Sequence, residues 1–252
     1  MEIEIYSDVV CPWCYVGKAR LDAALATYDT DVTLRWRAFQ LDPTLPSDGR
    51  PLLDWLAARF GGPDRVRQTV AHVTAIAEAE GLRLDYARAL IANSFNAHRL
   101  VWFADQAEAV AFGAGPDTQP ELVEALHRAH FAEGRDIGAT SVLVDVAEEV
   151  GLEPGRVHRL IESSEGTADV RAQTAHAYDR GITSVPTFVF AGSYVVTGAQ
   201  PTPVLRGVLD EVARREGLTP SLRSVIPDQR PNPVRPHAPW SPETPSSPPI
   251  MN

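Results

Sequence analysis

Two cysteines, Cys11 and Cys14, stand at the junction of a predicted strand and a predicted helix. Before them, residues 2–6 alternate charged and apolar side chains, which is typical of a short strand. After them, apolar residues recur at helical spacing up to about Ala26. A thiol at this junction faces the unpaired N–H groups and the positive end of the helix dipole, which favours the thiolate of Cys11. The two-residue spacing lets Cys14 reach Cys11, so the pair can cycle between dithiol and disulfide.

These are also the only cysteines in the chain. A structural zinc site normally takes four protein ligands, and the sequence has no second Cys-x-x-Cys pair and no His-x-x-x-His pair. His127 and His130 are close in sequence, but their spacing places them on one face of a predicted helix. The motif therefore predicts redox or closely related thiol chemistry. Two buried thiols, or half of a zinc site, are the alternatives.

The length and charge of the chain argue against several other classes of function. Its 252 residues can bury a substantial core, and its net charge of −10 argues against the basic surface of a nucleic-acid-binding protein. No apolar run approaches the ~18 residues of a membrane span, and no basic segment followed by an apolar stretch opens the chain. We therefore expect a cytoplasmic protein with no nucleic-acid or membrane partner. A stable structural disulfide is uncommon there, which favours a catalytic or sensing role for the cysteines.

The middle of the chain is predicted to be helical. Residues 32–39 alternate in polarity, and a strand there, parallel to the first, makes the opening a β-α-β unit. From about Leu52 to Tyr178 no segment alternates like a strand. The predicted helices cover residues 52–60, 63–80, 86–112 (as one helix or two), 118–132, 141–150, 154–163 and 165–180. Thr118 is predicted to be an N-cap, because Glu121 follows it at capping-box spacing.

Strand patterns return near the end of the chain. Residues 186–190 and 194–196 predict a hairpin, and a helix follows from about Pro203 to Glu216. We expect residues 1–50 and 181–219 to form one domain, with residues 51–180 inserted as an all-helical subdomain. Residues 220–252 hold about half of the 21 prolines and few aliphatic side chains, so they predict a disordered or extended tail.

The order of elements and four local motifs resemble a known family. A β-α-β opening with Cys-x-x-Cys, a large all-helical insertion and a closing β-β-α unit resemble the α/β thioredoxin fold of DsbA-like proteins. The motifs are residues 8–17 (DVVCPWCYVG), 39–43 (FQLDP), 93–100 (NSxxAHRL) and 181–188 (GITSVPTF). Together they resemble the FrnE-like subfamily of DsbA oxidoreductases, a relative of 2-hydroxychromene-2-carboxylate isomerases and kappa-class glutathione transferases. The resemblance covers roughly residues 2–217.

The resemblance implies which residues contact the substrate. It implies that the peptide bond between Val185 and Pro186 is cis, that Pro186 packs beside the redox pair, and that the backbone before it pairs with a substrate chain. Only about 5–6% of X-Pro bonds in folded proteins are cis, so this expectation depends on the resemblance. The alternative is a trans proline at the start of an edge strand. Pro12 and Trp13 are expected to contact the substrate as well.

Two positions depart from the pattern of the wider family. Many thioredoxin-fold oxidoreductases carry a buried carboxylate six residues before the first cysteine, where this chain has Ile5. Proton transfer at the second thiol would then depend on water, on Asp8 or on His98. Trp13 stands where DsbA has a histidine that helps to make DsbA oxidising. Because of this departure, the value of the redox potential is not predicted from the sequence.

Several other side chains near the motifs have two interpretations. His98 either contacts the substrate and holds a proton near neutral pH, or is a hydrogen-bonded interior histidine. Trp13, Phe39 and Trp102 either form an apolar rim for the substrate or belong to the core.

From these features we predict a thiol–disulfide oxidoreductase. Cys11 is the exposed nucleophile that forms a mixed disulfide with a protein or small-molecule substrate, and the more buried Cys14 resolves it. No metal or bound organic cofactor is expected; glutathione or another thiol would act as co-substrate.

Two other functions fit the same sequence. One is a glutathione-dependent isomerase or transferase that acts on an aromatic or polyketide-like small molecule. Enzymes of that kind usually keep serine at the first active-site position, so Cys11 counts against it. The other is a redox-inert binding module or holdase in which the cysteines are incidental. Since function belongs to the site rather than to the fold, the fold does not decide between them.

Overall fold

The computed structural model describes residues 1–218, and the predicted tail of residues 220–252 lies outside the described residues. The strands are β1 (Glu2–Ser7), β2 (Thr33–Ala38), β3 (Thr187–Phe190) and β4 (Tyr194–Thr197). The helices are α1 (Pro12–Leu25), α2 (Leu52–Arg59), α3 (Pro63–Ala79), α4 (Phe95–Ala104), α5 (Thr118–Phe131), α6 (Thr140–Glu149), α7 (Pro154–Glu162), α8 (Thr167–Asp179) and α9 (Thr202–Arg215), with a 3-10 helix at Ala107–Phe112. No helix in the described part of the chain is both long and apolar enough to cross a bilayer.

The four strands form one sheet in the order β2-β1-β3-β4. β1 is parallel to β2 and antiparallel to β3, and β4 pairs with β3 as a hairpin. Ile5 of the central strand β1 lies opposite Trp36 on one side and Phe188 on the other. The β-α-β unit, the inserted helices α2 to α8 and the closing β-β-α unit confirm the predicted thioredoxin fold with a helical insertion.

One hydrophobic core joins the sheet to the insertion. Helices α1 and α9 pack together, while α4, α5 and α8 pack against β2. The same cluster of buried side chains includes Ile5 and Phe188 of the sheet and Leu100 and Leu122 of the insertion. Removing such side chains from water is the main stabilising term of a fold of this size. The predicted helical region therefore shares its core with the strands that carry the cysteines.

The prediction of helix across residues 86–112 is wrong for its first part. Residues 82–94 are not helical, and α4 begins at Phe95. The reason is that this segment finds backbone partners elsewhere: Leu52 N–H donates to the carbonyl of Ala89, and Ile91 N–H donates to the carbonyl of Arg50. Bonds to another segment satisfy the backbone groups that a helix would otherwise pair internally.

The predicted capping box at the start of α5 is also wrong. Thr118 is the first helical residue and Asp117 is the N-cap, without a side-chain hydrogen bond. The hydroxyl of Thr118 instead accepts a hydrogen bond from the backbone N–H of Gly115 at 2.7 Å. Thr118 thus stabilises the turn before the helix, which is another common role of a threonine hydroxyl.

A buried arginine ties α4 to the end of α7. Arg99 belongs to the third motif and is 3% exposed. Its guanidinium donates to the carbonyls of Leu160, Ile161, Ser163 and Glu165 at 2.6 to 3.2 Å. The carbonyls of a last helical turn have no intrahelical partner and carry the negative end of the helix dipole. Arg99 supplies both the donors and the positive charge that this helix end needs.

Candidate active site

The cysteine motif lies where β1 gives way to α1. Cys11 is the N-cap of α1, and Pro12 is its first residue, where the missing N–H leaves no intrahelical bond unmade. The N–H of Cys11 donates to the carbonyl of Asp8, and the N–H of Cys14 donates to the carbonyl of Cys11, both at 3.0 Å. Both cysteines are free thiols. The geometry places the Cys11 thiol at the positive end of the helix dipole.

The exposure of the two cysteines differs from the expectation. Cys11, predicted to be exposed, is only 4% exposed, and Cys14 is 2% exposed. Cys11 lines a cleft of about 740 Å³ beside the first turn of α1, and Trp13, which is 36% exposed, lines the same cleft. Cys11 is therefore recessed in this cleft.

The environment of Cys14 keeps its thiol protonated. Burial raises the pKa of Cys14 well above its usual value, and the contact with Cys11 raises it further. Two groups lower this pKa: the backbone N–H of Asp8, which donates to the Cys14 sulfur at 3.5 Å, and the side chain of Ser7. A buried, protonated second thiol gives the pair the asymmetry that a nucleophile and a resolving thiol require.

Asp8 and His98 form a buried pair beneath the motif. Asp8 is fully buried, one carboxylate oxygen accepts from the N–H of Leu41 at 2.7 Å, and the other lies 3.3 Å from Nε2 of His98. Burial raises the pKa of Asp8, but the bonds from His98 and Leu41 outweigh it, so the pKa lies below its ordinary value. His98 is 3% exposed. It is therefore a hydrogen-bonded interior histidine. Ile5, which stands where many thioredoxin-fold oxidoreductases carry a carboxylate, lies in the core on β1.

Pro186 packs directly against α1. The peptide bond between Val185 and Pro186 is cis. Pro186 is buried, whereas Val185 before it is half-buried and Ser184 is exposed. A Cβ atom placed on Gly17 would lie 2.8 Å from Cγ of Pro186 and 3.3 Å from Cζ of Phe188. A glycine one turn after Cys14 is thus what lets the proline loop approach the helix.

Replacing Gly17 by alanine is expected to push the proline loop away from α1. The added methyl group would overlap Pro186, and overpacking of this kind costs about 1–3 kcal/mol. Thermal unfolding and the rate of disulfide exchange should both register the change. The matched control is Gly207→Ala in α9, where a Cβ atom meets nothing within 4 Å and the higher helix propensity of alanine should stabilise slightly. Equal melting temperatures for the two variants would contradict the packing argument.

Of the three aromatic residues considered for a substrate rim, Trp13 alone lies at the cleft. Phe39 is 2% exposed and packs on Tyr178 with ring centroids 5.4 Å apart. Trp102 packs over Gly166 and lines a separate groove. The rim interpretation is therefore wrong for Phe39 and Trp102.

Two buried histidines on α5 lie behind the motif. Nδ1 of His127 donates to the carbonyl oxygen of Val9 at 3.1 Å, and the His127 ring stacks on that of Tyr15 with centroids 4.9 Å apart. Burial lowers the pKa of His127 to about 3 and that of His130 to about 4, and the charge of Lys18 contributes at His127. The sequence indicated the shared helix face but not the burial, because no local signal distinguishes a buried histidine from an exposed one.

Lys18, the only lysine of the chain, belongs to the same region. Its ammonium nitrogen lies 2.7 Å from Asp22 and 3.1 Å from Glu124, and its side chain is 8% exposed. The hydroxyl of Tyr15 donates to Glu124 at 2.9 Å. Burial lowers the pKa of Lys18, but the two carboxylates outweigh it and the pKa is raised. A charged, fully paired lysine therefore joins α1 to α5 one turn beyond Cys14.

Acidification from pH 7 to pH 4.5 is expected to lower the free energy of unfolding. The folded protein holds His127 and His130 neutral, with pKa values of about 3 and about 4, whereas an unfolded histidine titrates near ~6.5. Between these values the unfolded chain binds more protons, so the stabilisation is complete above ~6.5 and is lost as pH falls toward the folded pKa values. We expect a loss of about 2–3 kcal/mol per histidine by pH 4.5, measured by urea unfolding.

Two variants identify the histidines that make the free energy of unfolding depend on pH. His130→Leu should make the dependence between pH 6.5 and 4.5 markedly shallower, because one of the two groups no longer titrates. His158→Gln, at an exposed position, should leave it unchanged. A wild-type free energy of unfolding that stays flat over this range would contradict the neutral burial of both rings.

Comparison with known proteins identifies the family. The DSBA-like thioredoxin domain matches residues 2–210. A probable DsbA oxidoreductase of Streptomyces coelicolor, SCO1869, is 33% identical, with a TM-score of 0.75 over 87% of this chain and 91% of that one. The uncharacterized protein YwbO of Bacillus subtilis (strain 168) is 28% identical over 218 residues, which are 86% of this chain and 99% of YwbO.

Two more distant structures share the fold. A 2-hydroxychromene-2-carboxylate isomerase is 17% identical, with a TM-score of 0.61 over 86% of this chain and 98% of that one. The cytosolic disulfide reductase DsbM from Pseudomonas aeruginosa, whose structure is also known with GSH, is 20% identical, with a TM-score of 0.57 over 85% of this chain and all of that one. The chain belongs to the DsbA-like thioredoxin domain family.

Proposed function

We propose that this protein is a cytoplasmic thiol–disulfide oxidoreductase in which Cys11 is the nucleophile and Cys14 the resolving thiol. The observation that carries the proposal is the asymmetry of the pair. Cys11 caps α1 and lines a cleft, whereas Cys14 is buried with a raised pKa. A protonated resolving thiol does not compete for the substrate, and the thiol at the helix end is the one that attacks.

The reaction is written for reduction of a substrate disulfide. The Cys11 thiolate attacks one sulfur of the substrate, a bond forms between them, and the other substrate sulfur leaves as a thiolate that takes up a proton. Cys14 then attacks the Cys11 sulfur, the bond from Cys11 to the substrate breaks, and the leaving substrate sulfur takes up the proton that Cys14 gives up. This releases the second substrate thiol and leaves a Cys11–Cys14 disulfide. Two electrons pass to the substrate. Glutathione or another external thiol returns the pair to the dithiol, and the reverse sequence oxidises a dithiol.

Other residues position the reactants in this proposal. The loop at Val185 and Pro186 holds the substrate backbone next to the pair, with the half-buried Val185 and the exposed Ser184 leading into the buried proline. The N–H of Asp8 donates to the Cys14 sulfur, so it stabilises the thiolate that forms there transiently. His98 fixes the Asp8 carboxylate below the motif and acts through it rather than on the substrate. Pro12 and Trp13 form the nearer wall of the cleft.

Equilibration with glutathione tests the proposal directly. The protein is incubated with defined ratios of reduced and oxidised glutathione, alkylated, and its free thiols are counted by mass, with Cys11→Ser in parallel. We expect a reversible two-electron transition in the wild type that is absent from the variant, and its midpoint gives the reduction potential.

The isomerase function is the second candidate, because an apolar cavity adjoins the motif. It would replace the first if Cys11 and Cys14 never pair at any glutathione ratio while glutathione still binds reversibly. Full retention of activity in Cys11→Ser would contradict the oxidoreductase mechanism and favour a redox-inert binding module.

A further inference from the structure

A cavity of about 450 Å³ adjoins the first turn of α1, enclosed by α2, α3, the segment of residues 84–92 and the end of α5. Its walls are mainly aromatic and aliphatic; they include Trp13, Trp55, Phe60, Leu90 and Phe131. Cavities of this size and character are typical of small-molecule sites. The cavity shares Pro12 and Trp13 with the cleft that Cys11 lines, so the two spaces adjoin each other.

A buried polar side chain without a partner lies in the wall of this cavity. His130 is 1% exposed, and neither of its ring nitrogens has a hydrogen-bond partner within the described residues. A neutral imidazole offers one donor and one acceptor, and leaving both unpaired in the interior is costly. Polar groups of this kind normally have a partner, so His130 indicates a bound group that supplies one.

The cavity has no unpaired charge to offer a ligand. Arg59 lies over the ring of Trp55 at 5.1 Å and is 3.3 Å from the carboxylate of Asp42, so its charge is neutralised at the rim. Tyr86, which also lines the cavity, makes no hydrogen bond among residues 1–218 and keeps a neutral hydroxyl, because burial raises its pKa and the nearby Cys11 raises it further. The buried polar side chains of the wall are thus the neutral imidazole of His130 and the neutral phenol of Tyr86, and the exposed Thr69 and His72 also line the cavity.

We propose that this cavity binds a neutral, mainly apolar small molecule that carries an aromatic ring and a hydroxyl or carbonyl group, and that this group hydrogen-bonds to His130. The aromatic walls receive the ring, and the polar group satisfies the imidazole. The inference rests on the proposed function in one respect: the substrate sulfur lies at the end of the molecule that reaches the cleft, where Cys11 attacks it. The preferred substrate class is then an aromatic small-molecule disulfide.

Binding is tested without the redox reaction. The probe is bis(4-hydroxyphenyl) sulfide, a thioether that cannot exchange, with diphenyl sulfide as the probe that lacks the hydroxyl groups. Titration calorimetry uses the full chain carrying both Cys11→Ser and Cys14→Ser. We expect the hydroxylated probe to bind about tenfold more tightly than diphenyl sulfide. Introducing His130→Leu should remove that preference and leave the affinity for diphenyl sulfide within about threefold.

A second variant covers the case in which His130→Leu fails to fold. Leu90→Trp fills the cavity from the partly exposed segment and should abolish binding of both probes while the near-ultraviolet circular dichroism stays native. The inference is wrong if neither probe binds to the folded parent, or if His130→Leu weakens both probes equally.

Turnover separates this inference from the proposed function. With the cysteines intact, bis(4-hydroxyphenyl) disulfide should be reduced with a kcat/KM at least tenfold above that for diphenyl disulfide and for a disulfide-bonded peptide. Normal reduction of the peptide with no preference for the hydroxylated compound would overturn the cavity assignment and keep the oxidoreductase. Probe binding without any disulfide exchange would keep the cavity and overturn the redox function.

Discussion

Replacing Cys14 by serine is expected to turn the protein into a trap for its substrate. The mixed disulfide on Cys11 would still form, because Cys11 keeps its place at the end of α1. Its release requires a second thiol at bonding distance, and the buried Cys14 is the only other cysteine. Steady-state disulfide exchange should fall by ~10³ or more, as it does when one member of a catalytic unit is removed.

Mass spectrometry reads the outcome of that substitution. After incubation with oxidised glutathione, Cys14→Ser should carry one glutathione per chain, and the adduct should disappear on adding dithiothreitol. Cys11→Ser should carry none, because the remaining thiol is buried and its pKa is raised. An adduct of equal yield on both variants would contradict the assignment of Cys11 as the nucleophile and Cys14 as the resolving thiol.

Replacing Arg99 by methionine is expected to be the most destabilising single change in the insertion. Methionine keeps much of the apolar volume of the side chain but removes all the guanidinium donors to the carbonyls at the end of α7. The carbonyl of Leu160 keeps a donor in the hydroxyl of Ser163 at 2.9 Å, and the other carbonyls lose their bond to Arg99. Each buried acceptor that is left without a donor costs about 1–3 kcal/mol. We therefore expect the free energy of unfolding to fall by about 3 kcal/mol or more. Urea unfolding followed by circular dichroism measures it, with the midpoint falling and the slope unchanged.

A surface arginine provides the control for that experiment. Arg214 pairs with Glu211 on the exposed side of α9, and Arg214→Met should leave the midpoint where it is. If Arg99→Met were as stable as Arg214→Met, the carbonyls at the end of α7 would have to find other donors. The role assigned to Arg99, of the third sequence motif, in bonding the end of α7 would then be wrong.

The sequence predicted best those features that depend on neighbouring residues. The strand–motif–helix order around Cys11 and Cys14 follows from residues within a few positions of each other, and β1, α1 and β2 lie where they were predicted. The third motif was recognised as a pattern, but the function of Arg99 within it was not predicted. Its four carbonyl partners lie more than 60 residues away along the chain.

The features that the sequence did not predict depend on contacts between distant segments. Residues 86–94 have helix-forming composition, yet residues 86–88 form only a turn, and backbone bonds to residues 50–52 fix residues 89–91 along the cavity wall. The recess around Cys11 and the cavity beside it are built from segments that only the fold brings together. Local propensity is overridden in such places, because tertiary hydrogen bonds and burial contribute more than helix propensity does.

The paired Lys18 makes α1, the helix that follows Cys11 and carries Cys14, easy to follow by limited digestion. An endoprotease that cuts only after lysine has a single target in the whole chain, and that target is buried in the middle of α1. Cleavage therefore requires α1 to open, so the digestion rate reports the free energy of opening this one helix. Comparing the dithiol and disulfide forms would give the amount by which the state of the cysteines stabilises the helix that carries them.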